Sequence, residues 1–174
     1  LILNIINSKP NQITKAWELN ERHYGELTGL NKDQMKKVYG EKKIHIFRRS
    51  WDMSPAPLNK NNPYHPLNIE IYKNIPRDKI PDTESLKNTY ERVIYYYLKN
   101  IEPLIQDGQN VLISAHGNTL RALCKKLFNI SDKNIARLEI PTGNPLLIKF
   151  KNNLKIDGCR YLDSSRSKDL LVKF

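Results

Sequence analysis

The sequence is short of the residues that define several protein classes. Its 174 residues include only two cysteines, Cys124 and Cys159, which are too few for a disulfide scaffold and lack a metal-binding spacing. No stretch approaches the roughly 20 apolar residues that span a bilayer, and Leu1–Asn7 has neither the basic start nor the cleavage site of a signal peptide. We therefore expect a cytoplasmic protein in a reducing compartment, with no metal and no membrane span.

Acidic residues are scarce relative to basic ones. Lysine and arginine total 29 against 18 aspartates and glutamates, which gives a net charge of +11. This charge can attract nucleic acid, a membrane surface or small anionic substrates, but a solvated lysine-rich surface produces the same total. The charge therefore leaves these alternatives open, and the positions of the arginines are more informative.

Helical periodicity dominates the first half of the chain. Asn31 is the predicted N-cap of a helix that ends near Gly40, a second helical stretch covers Glu41–Trp51, and Asp82 is the predicted cap of the longest helix. Six prolines within Pro55–Pro81 predict an extended, looped excursion between them.

The second half alternates strands and helices. The apolar run Val111–Ser114 predicts a buried strand, and a helix with apolar positions at i, i+3, i+4, i+7 and i+8 follows His116–Asn118. Ser131 is the predicted cap of a shorter helix, and Leu146–Phe150 with Leu154–Ile156 predicts a hairpin. This alternation predicts one α/β domain over the whole chain.

Two segments contain candidate chemistry. His116–Asn118 follows a predicted strand and opens a helix, where free N–H groups and the positive end of the helix dipole bind anions such as phosphoryl groups. Glu21–Tyr24 combines a carboxylate, a guanidinium, an imidazole and a phenol in a loop, where the carboxylate could move a proton between hydroxyls. A turn histidine and a salt-bridged surface loop remain equally good interpretations of the spacing.

Arginines add further anion contacts. Arg48 and Arg49 end a predicted helix, and adjacent guanidinium groups suit bidentate contacts with phosphate or carboxylate. Lys32 adds a cation, although most lysines nearby are expected to be solvated. His45 is expected to be half-buried packing, and His65 lies in a proline-flanked loop without an evident partner.

Together these residues resemble the bisphosphoglycerate-dependent phosphoglycerate mutases. The Leu-Asn-Glu-Arg-His-Tyr-Gly run is the most specific feature, whereas His-Gly-Asn alone indicates only the wider histidine phosphatase superfamily. The matching segments occur in the family's order over about residues 11–162: Trp17–Gly25, Leu30-Asn31-Lys32, Arg48-Arg49, Thr83-Glu84-Ser85-Leu86, Ala115-His116-Gly117-Asn118, Leu120-Arg121-Ala122-Leu123 and Ile140-Pro141-Thr142-Gly143.

The resemblance implies a three-layer α/β fold with a mostly parallel sheet flanked by helices. It also implies a glycolytic isomerase that interconverts 3-phosphoglycerate and 2-phosphoglycerate through a phosphohistidine. The cofactor would be 2,3-bisphosphoglycerate, which primes the histidine, and no metal would take part. The full-length protein would be a homodimer with no nucleic-acid or membrane partner.

The resemblance also gives each candidate residue a role. Glu21 would bind the substrate and both donate and accept the protons of its hydroxyls, and His116 would stabilise the transferring phosphoryl group. The other residues would bind the substrate's carboxylate and phosphate: Arg22, His23, Tyr24, Lys32, Arg48, Arg49, Gly117 and Asn118.

Two features depart from the family's pattern. The family's N-terminal Arg-His-Gly, which contains the nucleophilic histidine, has no counterpart here, because the one Arg-His pair is Arg22-His23. The chain opens at Leu1–Asn7 in what resembles the end of a helix, so we expect that an N-terminal segment is missing and that these 174 residues alone are inactive. Residues 163–174 form a divergent tail, which leaves closure of the site open.

Three other interpretations compete with an active mutase. The chain could be an inactive fragment, a phosphatase of the same superfamily, or a basic nucleic-acid-binding domain. The balance between mutase activity and synthase or phosphatase side activities is also left open by the sequence.

Overall fold

The computed structural model describes residues 13–167, apart from the side chain of Lys32. The helix expected to close within Leu1–Asn7 lies outside the described residues. The helices are α1 (Lys32–Tyr39), α2 (Glu41–Arg49), α3 (Leu86–Tyr96), α4 (Glu102–Gln106), α5 (Gly117–Leu127) and α6 (Asp132–Ile135), with a π turn at Tyr97–Ile101. The strands are β1 (Leu146–Phe150) and β2 (Ile156–Tyr161). Single turns of 3-10 helix lie at Trp17–Leu19, Gly25–Leu27, Pro66–Asn68, Glu70–Tyr72, Arg77–Lys79 and Ser164–Arg166.

Helices α1 and α2 form a helical hairpin. The side chain of Asn31 accepts hydrogen bonds from the N–H groups two and three residues on, at 2.9 and 3.4 Å, which confirms the predicted N-cap. Gly40 joins the helices with a φ of 81°, a left-handed conformation that suits glycine. Met35 of α1 packs with Ile44 and Phe47 of α2 in a small buried cluster.

Ser85 is the N-cap of helix α3, and the prediction that Asp82 caps it is wrong. Ser85 Oγ accepts from Asn88 N at 3.2 Å while Asn88 Oδ1 accepts from Ser85 N at 3.0 Å, which is a capping box. A serine at this position satisfies two free N–H groups reciprocally with Asn88 and so defines the start. Pro103 lies in the first turn of α4, where its missing N–H costs no hydrogen bond.

The proline-rich excursion holds a buried histidine, so the expectation that His65 lacks a partner is wrong. Its Nδ1 accepts from Leu67 N at 3.1 Å, and its Nε2 therefore carries the proton and donates to Asp82 Oδ1 at 3.0 Å. This pair ties the excursion to the segment that leads into α3. His45 is exposed on α2, which contradicts the expectation of half-buried packing.

The predicted buried strand at Val111–Ser114 is wrong for this structure. The segment has no regular secondary structure, and the Leu112 side chain is 69% exposed. Within residues 13–167 no strand lies beside it to pair with its backbone groups, and an apolar run without such a partner does not form a strand. The mostly parallel sheet is therefore not seen in the described part of the chain.

The predicted hairpin near the C-terminus is confirmed. Strands β1 and β2 pair antiparallel from Leu146 opposite Tyr161 to Phe150 opposite Ile156, with an irregularity in register between Lys149 and Phe150. The second strand is longer than predicted and starts two residues later. The described fold is thus α/β, with helices and one small antiparallel sheet.

The main core lies between α3 and α5. Apolar side chains of α3, such as Leu86 and Val93, pack with Ala122 and Cys124 of α5, and Leu138 closes the cluster. The interior position predicted for Cys124 is confirmed, and burial raises the pKa of its thiol to about 12. This packing fixes the N-terminal end of α5 relative to α3, and the candidate site is built at that end.

No helix within residues 13–167 is long and apolar enough to cross a membrane.

We predict that Leu138→Ala lowers the free energy of unfolding by about 2–5 kcal/mol, because Leu138 is fully buried and its truncation leaves a cavity. Urea denaturation followed by circular dichroism measures the change. The control is Leu162→Ala, which makes the same truncation at a side chain that is 60% exposed and should change stability by less than about 0.5 kcal/mol. Equal losses in the two variants would contradict the described core.

Candidate active site

The carboxylate of Glu21 is bound to the start of α5. Glu21 Oε1 accepts from Asn118 Nδ2 at 2.7 Å and from Arg22 N at 3.0 Å, and Oε2 accepts from Asn118 N at 3.3 Å. The two residues are 97 positions apart, so the fold and not the local chain brings them together. The structure thus joins the two segments that the sequence singled out for chemistry.

Asn118 is the centre of this network. Its Nδ2 also donates to Tyr24 Oη at 2.7 Å, and its Oδ1 accepts from Arg121 Nη1 at 3.0 Å. Because both ends of the amide are engaged, the side chain of Asn118 has one orientation, with its NH₂ group toward Glu21 and Tyr24. Arg121 is held in turn by donating to the carbonyl of Ile135. Arg121 belonged to a matching motif, but its position in the site was not predicted.

Arg22 is buried beneath the loop, with 2% of its surface exposed. Its Nη2 donates to the Phe47 carbonyl at 2.6 Å, and its guanidinium lies over the ring of Tyr24 at 4.6 Å from the centroid. Burial lowers the pKa of Arg22, against the opposing effect of Tyr24 and Glu21 nearby. Its Nε and Nη1 have no hydrogen-bond partner within the described residues.

The end of α2 supplies the two adjacent arginines. Arg49 Nη2 forms an ion pair with Glu139 Oε1 at 2.7 Å, and Arg48 is half-buried beside it in the chain. The side chain of Lys32, the remaining predicted cation, lies outside the described residues. Burial, followed by the charges of Arg49 and Arg22, lowers the pKa of Arg121 to about 10. The guanidinium groups of Arg22, Arg49 and Arg121 therefore lie near enough to one another for their charges to interact.

His116 is the N-cap residue of α5, and its side chain is exposed. Gly117 begins the helix, and a Cβ added there would meet no atom within 4 Å. This open space lies beside the first turn of α5, whose backbone N–H groups can bind an anion; among them, the N–H of Asn118 donates to Glu21. Asn118, the next residue, is the one that contacts Glu21.

His23 is held on the other side of the loop. Its ring packs edge-on against Tyr72 with 6.0 Å between centroids, and burial lowers its pKa, against the opposing effect of Glu84. Its backbone N–H donates to Glu84 Oε2 at 2.9 Å, and its carbonyl accepts from Glu84 N at 2.8 Å. The imidazole therefore faces the proline-rich excursion through Tyr72.

Sequence reasoning missed Arg92. This α3 residue pairs with Glu84 and donates to the backbone carbonyls of Glu18, Asn20 and Glu21. The one signal in the sequence was a charged residue eight positions after Glu84 on a helix whose buried positions are mostly apolar. Such a charge near a core needs a partner.

The site can bind an anion and hold a carboxylate beside it. Guanidinium groups with unsatisfied nitrogens and a helix N-terminus favour phosphate or carboxylate ligands. Within residues 13–167 no group of three or more potential ligands is arranged to hold a metal ion.

Two comparisons with known proteins, one with family models and one with individual relatives, indicate the family of this chain. The family model of the histidine phosphatase superfamily (branch 1) matches residues 62–155. A relative from Pelagibacter ubique (strain HTCC1062) is 63% identical over 158 residues, which are 91% of this chain and 66% of the relative. One from Maricaulis maris (strain MCS10) is 45% identical over 91% of this chain and 65% of its own length.

A relative from Pasteurella multocida (strain Pm70) is 45% identical over 163 residues, which are 91% of this chain and 72% of its own length. All three relatives are named 2,3-bisphosphoglycerate-dependent phosphoglycerate mutase. The chain spans just under two thirds of the length of the first two.

We predict that Glu139→Gln strengthens the binding of inorganic phosphate by about two- to fivefold, because it removes an exposed carboxylate that competes for Arg49. Isothermal titration of residues 1–174 measures the dissociation constant. The control is Glu41→Gln, whose carboxylate pairs with Lys36 at 3.1 Å at the far end of α2. The same gain in both variants would mean that only net charge changes affinity.

Proposed function

We propose that the chain contributes most of the active site for interconversion of 3-phosphoglycerate and 2-phosphoglycerate. The chain belongs to the histidine phosphatase superfamily (branch 1) and, within it, to the 2,3-bisphosphoglycerate-dependent phosphoglycerate mutases. The single observation that supports this proposal most is the Glu21 carboxylate hydrogen-bonded to Asn118 beside buried arginines. This arrangement places a proton-transfer group next to an anion site, so that both can act on one bound substrate.

Glu21 is the proposed proton carrier. When a phosphoryl group moves from a histidine to a substrate hydroxyl, the N–P bond breaks, an O–P bond forms, and the hydroxyl proton needs an acceptor. The carboxylate of Glu21 takes that proton and returns it to the other oxygen when the second phosphoryl group leaves. The three N–H groups that now face Glu21 keep it in place until a hydroxyl arrives.

The arginines are the proposed substrate-binding groups. Arg48 and Arg49 would hold the substrate's carboxylate and phosphate in bidentate contacts. Arg22, His23, Tyr24 and Lys32 would complete the pocket wall, while Gly117 and Asn118 would bind beside the phosphoryl group. His116, at the open helix N-terminus, would stabilise negative charge on the transferring phosphoryl oxygens.

The residues present fit 2,3-bisphosphoglycerate, a small polyanion. Buried Arg22 and Arg121 have guanidinium nitrogens without partners in the described part of the chain, and such groups favour an anion that completes their hydrogen bonds. When bound, this cofactor supplies a phosphoryl group to the nucleophilic histidine. Arg22, Arg48 and Arg49 would hold it.

We also propose a sheet architecture, a cellular location and an oligomeric state for the protein. We infer one domain over residues 1–174 with a mostly parallel sheet flanked by helices and a divergent tail over 163–174. We also infer a cytoplasmic homodimer that acts on small phosphorylated acids without metal, nucleic acid or membrane.

A phosphatase of the same superfamily is the second candidate. It would need an anion site and His116, but it has no use for a group that shuttles protons between two substrate hydroxyls. The Glu21–Tyr24 run, which resembles the mutases, argues against this candidate. Thermal denaturation tests the class: millimolar 3-phosphoglycerate should raise the melting temperature of residues 1–174, whereas a rise with oligonucleotides alone would favour nucleic-acid binding.

We predict that residues 1–174 alone show no mutase turnover with 3-phosphoglycerate and 2,3-bisphosphoglycerate. The four histidines have other settings: His65 has both ring nitrogens engaged, His23 packs on Tyr72, His45 is exposed on α2, and His116, at the N-cap position of α5, is the proposed stabiliser of the transferring phosphoryl group. A coupled assay measures the rate. Turnover on the order of 10 s⁻¹ would show that one of the four is the nucleophile.

We predict that a chimera with the N-terminal segment of the Pelagibacter ubique relative placed ahead of Leu1 gains mutase activity. In it, Glu21→Gln should lower kcat by about 10²–10⁴-fold with little change in KM, because glutamine keeps the size but removes the base. Steady-state assays measure both. Glu26→Gln, an acidic residue of the next turn, is the control and should retain activity. An unchanged kcat in Glu21→Gln would make Glu21 a structural partner only.

A further inference from the structure

The guanidinium of Arg92 uses all five of its N–H donors. Its Nε donates to Glu84 Oε1 at 2.7 Å and its Nη2 to Glu84 Oε2 at 2.9 Å, a bidentate ion pair. The other donors go to backbone carbonyls: Nη1 to Glu18 at 2.6 Å and Asn20 at 3.0 Å, and Nη2 to Glu21 at 3.1 Å. A complete set of this kind fixes the guanidinium plane.

Glu84 also holds the backbone of His23, the residue after Arg22. Its carboxylate accepts from His23 N, and its backbone N–H donates to the His23 carbonyl. Glu84 is buried and lies just before the capping box of α3. The carbonyls of residues 18, 20 and 21 and the backbone of His23 are thus held by the ion pair between Arg92 of α3 and Glu84, which precedes that helix.

The loop has little else to define its path. Residues 20–24 form no helix or strand, and their backbone-to-backbone hydrogen bonds are few: Asn20 N donates to the Trp17 carbonyl, and the carbonyls of His23 and Tyr24 accept from Glu84 N and Leu27 N. Side chains supply most of the other partners. Besides the ion pair, Thr119 Oγ1 donates to the Asn20 carbonyl at 2.8 Å, which ties the same loop to α5. The loop therefore lies between α3 and α5, fixed to α3 by Arg92.

We propose that Arg92, supported by Glu84, is a positioning residue that sets the carboxylate of Glu21 against Asn118. It acts only through the loop backbone and touches no substrate. This inference rests on the proposed function for its effect on rate, because Glu21 must be the proton carrier. A displacement of about 1 Å can cost on the order of 10²-fold in rate when geometry is this demanding.

Arg92→Lys separates positioning from charge. Lysine keeps the cation beside Glu84 but cannot reach three carbonyls and two carboxylate oxygens at once. The matched control is Arg166→Lys. The guanidinium of Arg166, beyond the hairpin, also donates to one carboxylate, that of Asp163, and to two backbone carbonyls, those of Thr142 and Gly143. Both variants lose a guanidinium clamp, but only one clamp holds the Glu21 loop.

The first measurement needs no activity. In residues 1–174, the side-chain NH₂ of Asn118 bonds Glu21 and Tyr24, so its NMR signals should exchange slowly with water. Arg92→Lys should accelerate this exchange at least tenfold and leave core amides such as that of Val93 protected, and Arg166→Lys should leave it unchanged. Unchanged exchange in Arg92→Lys would overturn the proposal. Glu84→Gln makes the same test if Arg92→Lys does not fold.

The second measurement uses the active chimera. Arg92→Lys should lower kcat about 100-fold with KM within twofold and shift the acidic limb of the pH–kcat profile, whereas a purely structural role would lower only the amount of folded enzyme. An unchanged kcat per folded molecule would overturn the proposal. A chimera that is inactive with Arg92 intact would instead contradict the proposed function, and the NMR result would still decide whether Arg92 positions Glu21.

Discussion

Burial of arginine side chains around the loop that contains Glu21 is the constraint on which the site depends. A buried charge is costly unless it is paired and hydrogen-bonded. Arg92 meets that cost completely with Glu84 and loop carbonyls, whereas Arg22 and Arg121 keep nitrogens without partners in the described residues. The first is a structural clamp. The incomplete hydrogen bonding of the other two, among the described residues, is what supports the anion site proposed above.

Local chemistry was predictable from the sequence. The Asn31 cap, the amphipathic helix with Cys124 inside, the Ser131 cap and the C-terminal hairpin all follow from residues within a few positions of one another. The candidate segments Glu21–Tyr24 and His116–Asn118 were found for the same reason, since each concentrates its chemistry in four or fewer positions.

The rest depended on contacts between distant parts of the chain. Arg92 bonds carbonyls more than 70 positions away, which no periodicity reveals, and Asp82 forms a pair with buried His65 in place of the predicted cap. The run Val111–Ser114 has the composition of a strand, but strand formation requires a neighbour, and composition does not show whether one is present. The reactive groups were therefore predictable from the sequence, whereas the long-range contacts that hold them in place were not.

The π turn at Tyr97–Ile101 has a consequence for how α3 keeps its place. In an α-helix, residues four apart drift by about 40° around the axis, so Ile101 would stand about 80° from Val93 two steps earlier. A wider turn advances less per residue and compensates this drift. Val93, Tyr97 and Ile101 are all buried in the same cluster. The wider turn thus lets side chains four residues apart stay in one buried cluster beyond the end of the regular α-helix at Tyr96.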